Sequence, residues 1–132
     1  MKTLLFTILM SMSLGYLTAQ SDEPFTYVEQ MPAFPGGTQK LYKFFSDNIV
    51  YPDSCKSTMG TFTAVVQFVV DTEGYIVKPK VLKGNDCGAT EEVLRVVSMM
   101  NDLNPRWSPG MHNGKKTPVT FTLPVKFIPG KT

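Results

Sequence analysis

The chain has 132 residues, of which 42% are hydrophobic and 18% charged, and 13 basic against 11 acidic side chains leave a net charge of +2. That length suits one domain rather than two. The near balance of charge, with no basic block beyond the loop pair Lys115-Lys116, excludes a dedicated nucleic-acid binder.

Residues 1–20 read as a secretory signal peptide. Lys2 supplies the positive start, and Leu4 to Met10 open an apolar stretch. Diluted by serines and Gly15, it runs to about Leu17 before Thr18-Ala19-Gln20. A membrane span needs about 20 mostly apolar residues, and this run is shorter. Cleavage near Ala19 or Gln20 is therefore expected, with an uncleaved anchor as the alternative. Residues 21–132 form the single domain, outside the cytoplasm.

Ser21 to Gln30 reads as an extended, polar lead-in. Met31 to Gly37 is a proline-glycine turn, and Gly36-Gly37 lacks the Lys-Ser/Thr that a phosphate loop requires. Thr38 is expected to cap a helix. Leu41, Phe44, Phe45 and Ile49 fall on one face of it, and Lys40, Lys43 and Asp47 on the other. Tyr51-Pro52 marks its end, and a connector carrying Cys55 runs to Gly60.

Thr61 to Val70 is the strongest strand. Phe62, Ala64, Val66, Phe68 and Val70 make an apolar face, while the alternate positions are mixed. Asp71-Thr72-Glu73-Gly74 is a tight turn, and Tyr75 to Leu82 returns as a second strand. Pro79 cannot donate to a ladder, which puts that strand at an edge. A second helix starts near Thr90 with Glu91 and Glu92 in its first turn. Val93, Leu94, Val97 and Met100 form its buried face, with Val96 at the margin. Arg106 to Gly110 turns around the single tryptophan, Trp107, and Asn113-Gly114 is a further tight-turn signal. Pro118 to Ile128 is a third strand. Val119, Phe121, Leu123, Val125 and Phe127 face one way; Thr120, Thr122, Pro124 and Lys126 face the other. Pro124 makes it the other edge.

The expected fold is α+β and two-layered. A three-stranded antiparallel or mixed sheet places the first hairpin strand centrally, between the second hairpin strand and the C-terminal strand. Two helices cover one face, the second as a right-handed crossover. Two cysteines in an exported chain invite a disulfide. Pairing Val70 near Tyr75 puts Phe62 opposite about Lys83 and brings Thr58 near Cys87, within reach of Cys55. A bridge there contributes on the order of 3 kcal/mol; two separately buried thiols are the alternative.

No catalytic constellation is legible. Asp71 and Glu73 lie in a turn, Glu91 and Glu92 at a helix start, and His112 alone in a loop. No enzyme, cofactor or metal is expected. The C-terminal strand is the feature that suggests function: a free edge takes up an extended peptide by strand addition. The competing reading is an edge protected by Pro124, Lys126 and the lead-in.

With the elements placed, the chain resembles the C-terminal domain of TonB-family energy transducers, in the form common in Bacteroidetes-type bacteria. The matching residues are Phe34-Pro35-Gly36-Gly37, Asn48-Ile49, Tyr51-Pro52, Gly60, Val66 to Val70 and Gly74. Arg95-Val96-Val97, Trp107, Pro109-Gly110, Gly114-Lys115, Leu123-Pro124-Val125 and Phe127 complete the set, which spans about Val28 to Ile128. The resemblance implies a periplasmic domain that grips N-terminal segments of TonB-dependent outer-membrane receptors, and so a part in transport across the outer membrane. The grip carries over to the strand Thr117, Val119, Thr120, Phe121, Thr122, Leu123, Val125, Lys126 and Phe127. The family's motor-engaging membrane helix and long proline-rich spacer have no counterpart in the expected stand-alone domain. The alternatives are a short transducer anchored by an uncleaved signal, or an envelope module that pairs its last strand in a homodimer.

Overall fold

A computed structural model describes residues 23–85 and 87–130. The segment read as a signal peptide lies outside the described residues. Among the described residues, no helix is long and apolar enough to cross a membrane.

Among the described residues, two α-helices and five strands follow one another: α1 (Thr38–Asn48), β1 (Phe62–Val70), β2 (Ile76–Lys83), α2 (Ala89–Met99), β3 (Gly110–His112), β4 (Lys115–Thr117) and β5 (Val119–Phe127). The main sheet has the order β2-β1-β5, with both outer strands antiparallel to β1. This is the expected α+β arrangement. β1 alternates as its sequence does: Ala64, Val66, Phe68 and Val70 are buried against Leu41 and Phe45 of α1 and Val93, Val96 and Val97 of α2. Burying those side chains is what holds two short helices, each too short to be stable alone, on the sheet.

Several local expectations need correction. Gly37, not Thr38, caps α1; Gly37 sits at φ 96°, where a β-carbon is strained, and its carbonyl accepts the Leu41 N–H. Thr38 is already helical. On α2 the central buried position belongs to Val96, and Leu94 is only half-buried, because the helix is rotated to seat Ala89, Val93, Val96 and Val97 together. The hairpin register also differs. Val70 pairs with Ile76, but Lys83 lies opposite Val65, not Phe62. Two bulges in β2 cause the shift: Lys78 and Pro79 are accommodated between the Gln67 and Val69 pairs, and Leu82 between the Val65 and Val66 pairs. Lys78 has φ 54°. The bulge absorbs Pro79, whose nitrogen has no proton to give.

The hairpin β3-β4 went unread as strands. Its three-residue strands are too short to show a period, although its Asn113-Gly114 turn, with φ 52° and 75°, is the one the sequence marks. Cys55 and Cys87 are joined, with Cα atoms 5.1 Å apart. The bridge ties the 3-10 turn after α1 (Asp53–Cys55) to the approach of α2 and closes a loop containing the β1-β2 hairpin. A second link joins the helices: Arg95 donates to the Asn48 carbonyl at 2.8 Å, and Glu92 accepts the Val50 N–H at 2.7 Å. The end of α1 is thus satisfied by charged groups of α2.

Candidate functional site

A sheet of three strands has two edges, and the sequence supplies them differently. On β2, the two bulges break the row of outward groups, and Lys78, Lys80 and Lys83 are exposed along it. At its start, the Asn101 side-chain amide accepts the Ile76 N–H at 2.7 Å and donates to the Ile76 carbonyl at 3.0 Å. This edge is closed by the devices that keep natural sheets from pairing with strangers.

β5 differs. Nine consecutive pairs, from Phe62 with Phe127 to Val70 with Val119, run without a shift. The phase of the ladder follows from one contact. Thr120 donates its N–H to the Phe25 carbonyl at 2.7 Å, away from β1. Outward and inward groups alternate in an antiparallel ladder, so Thr122, Pro124 and Lys126 also direct their backbone groups outward. Val119, Phe121, Leu123, Val125 and Phe127 bond to β1. The free stretch therefore offers N–H groups from Thr122 and Lys126 and carbonyls from Thr120, Thr122, Pro124 and Lys126. Pro124 occupies a position where its missing donor costs the sheet nothing and removes one outward bond. Among the described residues, β1 is the only strand paired with β5 along this downstream half, and no strand lies on its outward side.

The side chains sort accordingly. Val119, Leu123, Val125 and Phe127 are buried, Phe121 is half-buried against Trp107 and Phe68, and Thr122 and Lys126 are exposed. Of the residues assigned to partner binding from sequence, the buried ones bond their backbones to β1, and of these Val125 and Phe127 also line a surface cleft. Thr117 does not belong to this strand: it lies in β4, opposite Gly110, and Pro118 separates the two.

An apolar cleft of about 230 Å³ runs beside the downstream edge, lined by Tyr42, Phe45, Ile49, Tyr51, Val125, Phe127 and Ile128, with Ser46, Pro124 and Lys126 at its rim. Tyr42 and Ile128 are about half exposed. Alternate side chains of a strand point to the helix side of its sheet, the side on which this cleft lies. The α1 face contributes because Phe45 and Ile49 share the stripe that packs on the core. Tyr51 is held by its hydroxyl, which donates to the Gly60 carbonyl at 2.7 Å.

The charged groups describe a scaffold. The Glu92 carboxyl is held below its ordinary range chiefly by the hydrogen bond from Arg95, which outweighs its partial burial. Arg95 is correspondingly raised by Glu92. Asp53, fully exposed, is lowered by the hydrogen bond from Lys56. Glu92 and Arg95 lie on α2 and Asp53 in the 3-10 turn after α1, none of them on β5. His112 meets Phe25 in a tilted ring contact with centroids 5.1 Å apart. The sequence-level acids are not brought together: Asp71 caps its own turn by accepting the Glu73 and Tyr75 N–H groups.

The fold and this edge define a two-layer α+β protein-interaction domain. The family model described as the C-terminal region of the Gram-negative bacterial TonB protein matches residues 47–129. The match covers more than half of the chain, which belongs to that family of envelope-associated, non-enzymatic interaction domains. Comparison with curated proteins and with solved structures gives no match.

Proposed function

We propose that the domain works in the periplasm, where it docks on N-terminal segments of TonB-dependent outer-membrane receptors by strand addition along Thr120–Phe127, as part of transport across the outer membrane. The observation that carries this reading is the contrast between the two sheet edges. β2 is bulged, lysine-lined and capped by Asn101; β5 is regular, free downstream and flanked by an apolar cleft. An arriving segment gains backbone hydrogen bonds from the edge and burial from one side chain in the cleft. The disulfide fits an oxidising compartment outside the cytoplasm.

The ladder phase supplies a clean test. Proline at 122 or 126 removes an outward donor and leaves the bonds to β1 intact, as Pro124 already does. In titrations with peptides copying receptor N-termini, the native protein is expected to show amide shifts over residues 120–127. Thr122→Pro and Lys126→Pro are expected to weaken binding about tenfold each, on the scale of one lost hydrogen bond, with little change in melting temperature. Binding that survives both substitutions unchanged would rule out strand addition at this edge.

A further inference from the structure

We propose that the N-terminal arm is a displaceable occupant of the upstream end of the β5 edge, and that it limits the length of ladder available to a docking segment. The proposal rests on the strand-addition reading above and adds a regulatory element to the same site.

Phe25 donates its N–H to the Pro118 carbonyl at 3.2 Å and accepts the Thr120 N–H at 2.7 Å. It is a single bridge, parallel to β5 at Val119. A docking segment that extends to the upstream end of this edge uses the same two outward groups. The arm thus closes the first rung in the way a partner would, and then turns away. Continuing in the same sense, the arm would next take the Thr120 carbonyl and the Thr122 N–H. Instead Val28 leaves the edge, and Gln30 pairs with Met111 of β3 through two bonds of 3.0 and 2.8 Å.

The arm has a buried part and a more exposed part. From Val28 onward it is anchored. Val28 is 1% exposed, Ala33 and Ser108 exchange two backbone bonds, and the Glu29 carboxylate accepts the Asn113 N–H. Upstream of Val28 the surroundings change: Tyr27 is 78% exposed and Phe25 43%. Phe25 meets the rest of the domain through its one bridge and its tilted contact with His112. The residue that is fully buried on this arm is Val28, at 1% exposure, not Phe25. Val28 is the hinge, and Phe25 is the latch.

The consequence is a population effect. A segment long enough to use the Thr120 N–H and the Pro118 carbonyl binds only the arm-released form. Its apparent affinity is reduced by the fraction released. A short segment that stops at Thr122 is indifferent to the arm.

The test uses the full chain. Phe25→Pro removes both the N–H donor and the ring, and Phe25→Ala removes the ring alone. Amide exchange reports the arm: Thr120 is expected to exchange about tenfold faster in Phe25→Pro, with a smaller rise in Phe25→Ala. The Met111 amide, bonded to Gln30, stays protected and shows that the fold is kept. Receptor N-terminal peptides of nine and five residues report the consequence. The nine-residue probe is expected to bind Phe25→Pro about tenfold tighter than the native chain, and the five-residue probe equally. Unchanged Thr120 exchange, or the same change for both lengths, overturns the proposal. If neither probe binds either protein, the docking reading fails; Thr120 exchange then decides the latch by itself.

Discussion

Removing the Cys55–Cys87 bridge is the sharpest perturbation of stability this fold allows. The bridge spans a sequence separation of 32 and encloses both strands of the central hairpin. In the chain-entropy account, a loop of that size removes about 12 cal/mol/K from the unfolded ensemble, or about 3.7 kcal/mol at 25 °C. A domain this small has about 5–15 kcal/mol of total stability, so the loss is a quarter or more of it. Cys55 is fully buried, and its replacement also leaves a small void; comparison of oxidised with reduced native protein isolates the cross-link. Urea unfolding followed by Trp107 fluorescence is the assay. At a slope near 1.5 kcal/mol/M, the midpoint is expected to fall by about 2.5 M on reduction. The Cys55→Ala/Cys87→Ala variant should fall slightly further. The slope should rise, because a freed unfolded chain exposes more surface. A stability change below about 1 kcal/mol, with the slope unaltered, would refute the argument that the bridge acts by constraining the unfolded state.

Further outcomes follow from packing and charge. Gly74 has φ 86°, and a β-carbon there would collide with the Trp107 carbonyl oxygen; Gly74→Ala should cost about 2 kcal/mol or more in denaturant unfolding. Phe45→Ala, at the joint of core and cleft, should cost about 3–5 kcal/mol, whereas Tyr42→Ala, on the exposed rim, should leave melting unchanged and weaken only peptide binding. The Glu92 carboxyl has a lower affinity for protons folded than unfolded, so its contribution is complete above about pH 4.3 and is lost as the pH falls through its depressed folded value. With Arg95 half exposed, that contribution is about 1 kcal/mol. Glu92→Gln should remove this part of the acid dependence in pH-resolved melting.

The alternation of β1 and β5, the helical stripe of α1, the turn residues and the prolines at both edges were legible in the sequence. Each depends on local geometry: a period of two or 3.6, a glycine, a missing donor. The residues that carry the family resemblance prove to be largely structural. Asn48 and Arg95 join the helices, Tyr51 ties down Gly60, and Gly74 makes room for the Trp107 backbone. The candidate site itself was only half legible. Its strand was visible, but its cleft is made by α1 meeting β5, elements some 75 residues apart in sequence, and no local pattern reports such a meeting.

By itself, the sequence determined the order and type of the main elements and the central place of β1, because hydrophobic period and proline chemistry act within a few residues; the cysteine bridge, which the sequence only invited, was decided by the fold. Only the tertiary structure decided which edge is open. The bulges that shift β2, the Asn101 amide that closes its first rung and the Phe25 latch on β5 all depend on contacts between distant segments. Backbone groups that every residue carries alike become a site only where the fold leaves them unpaired.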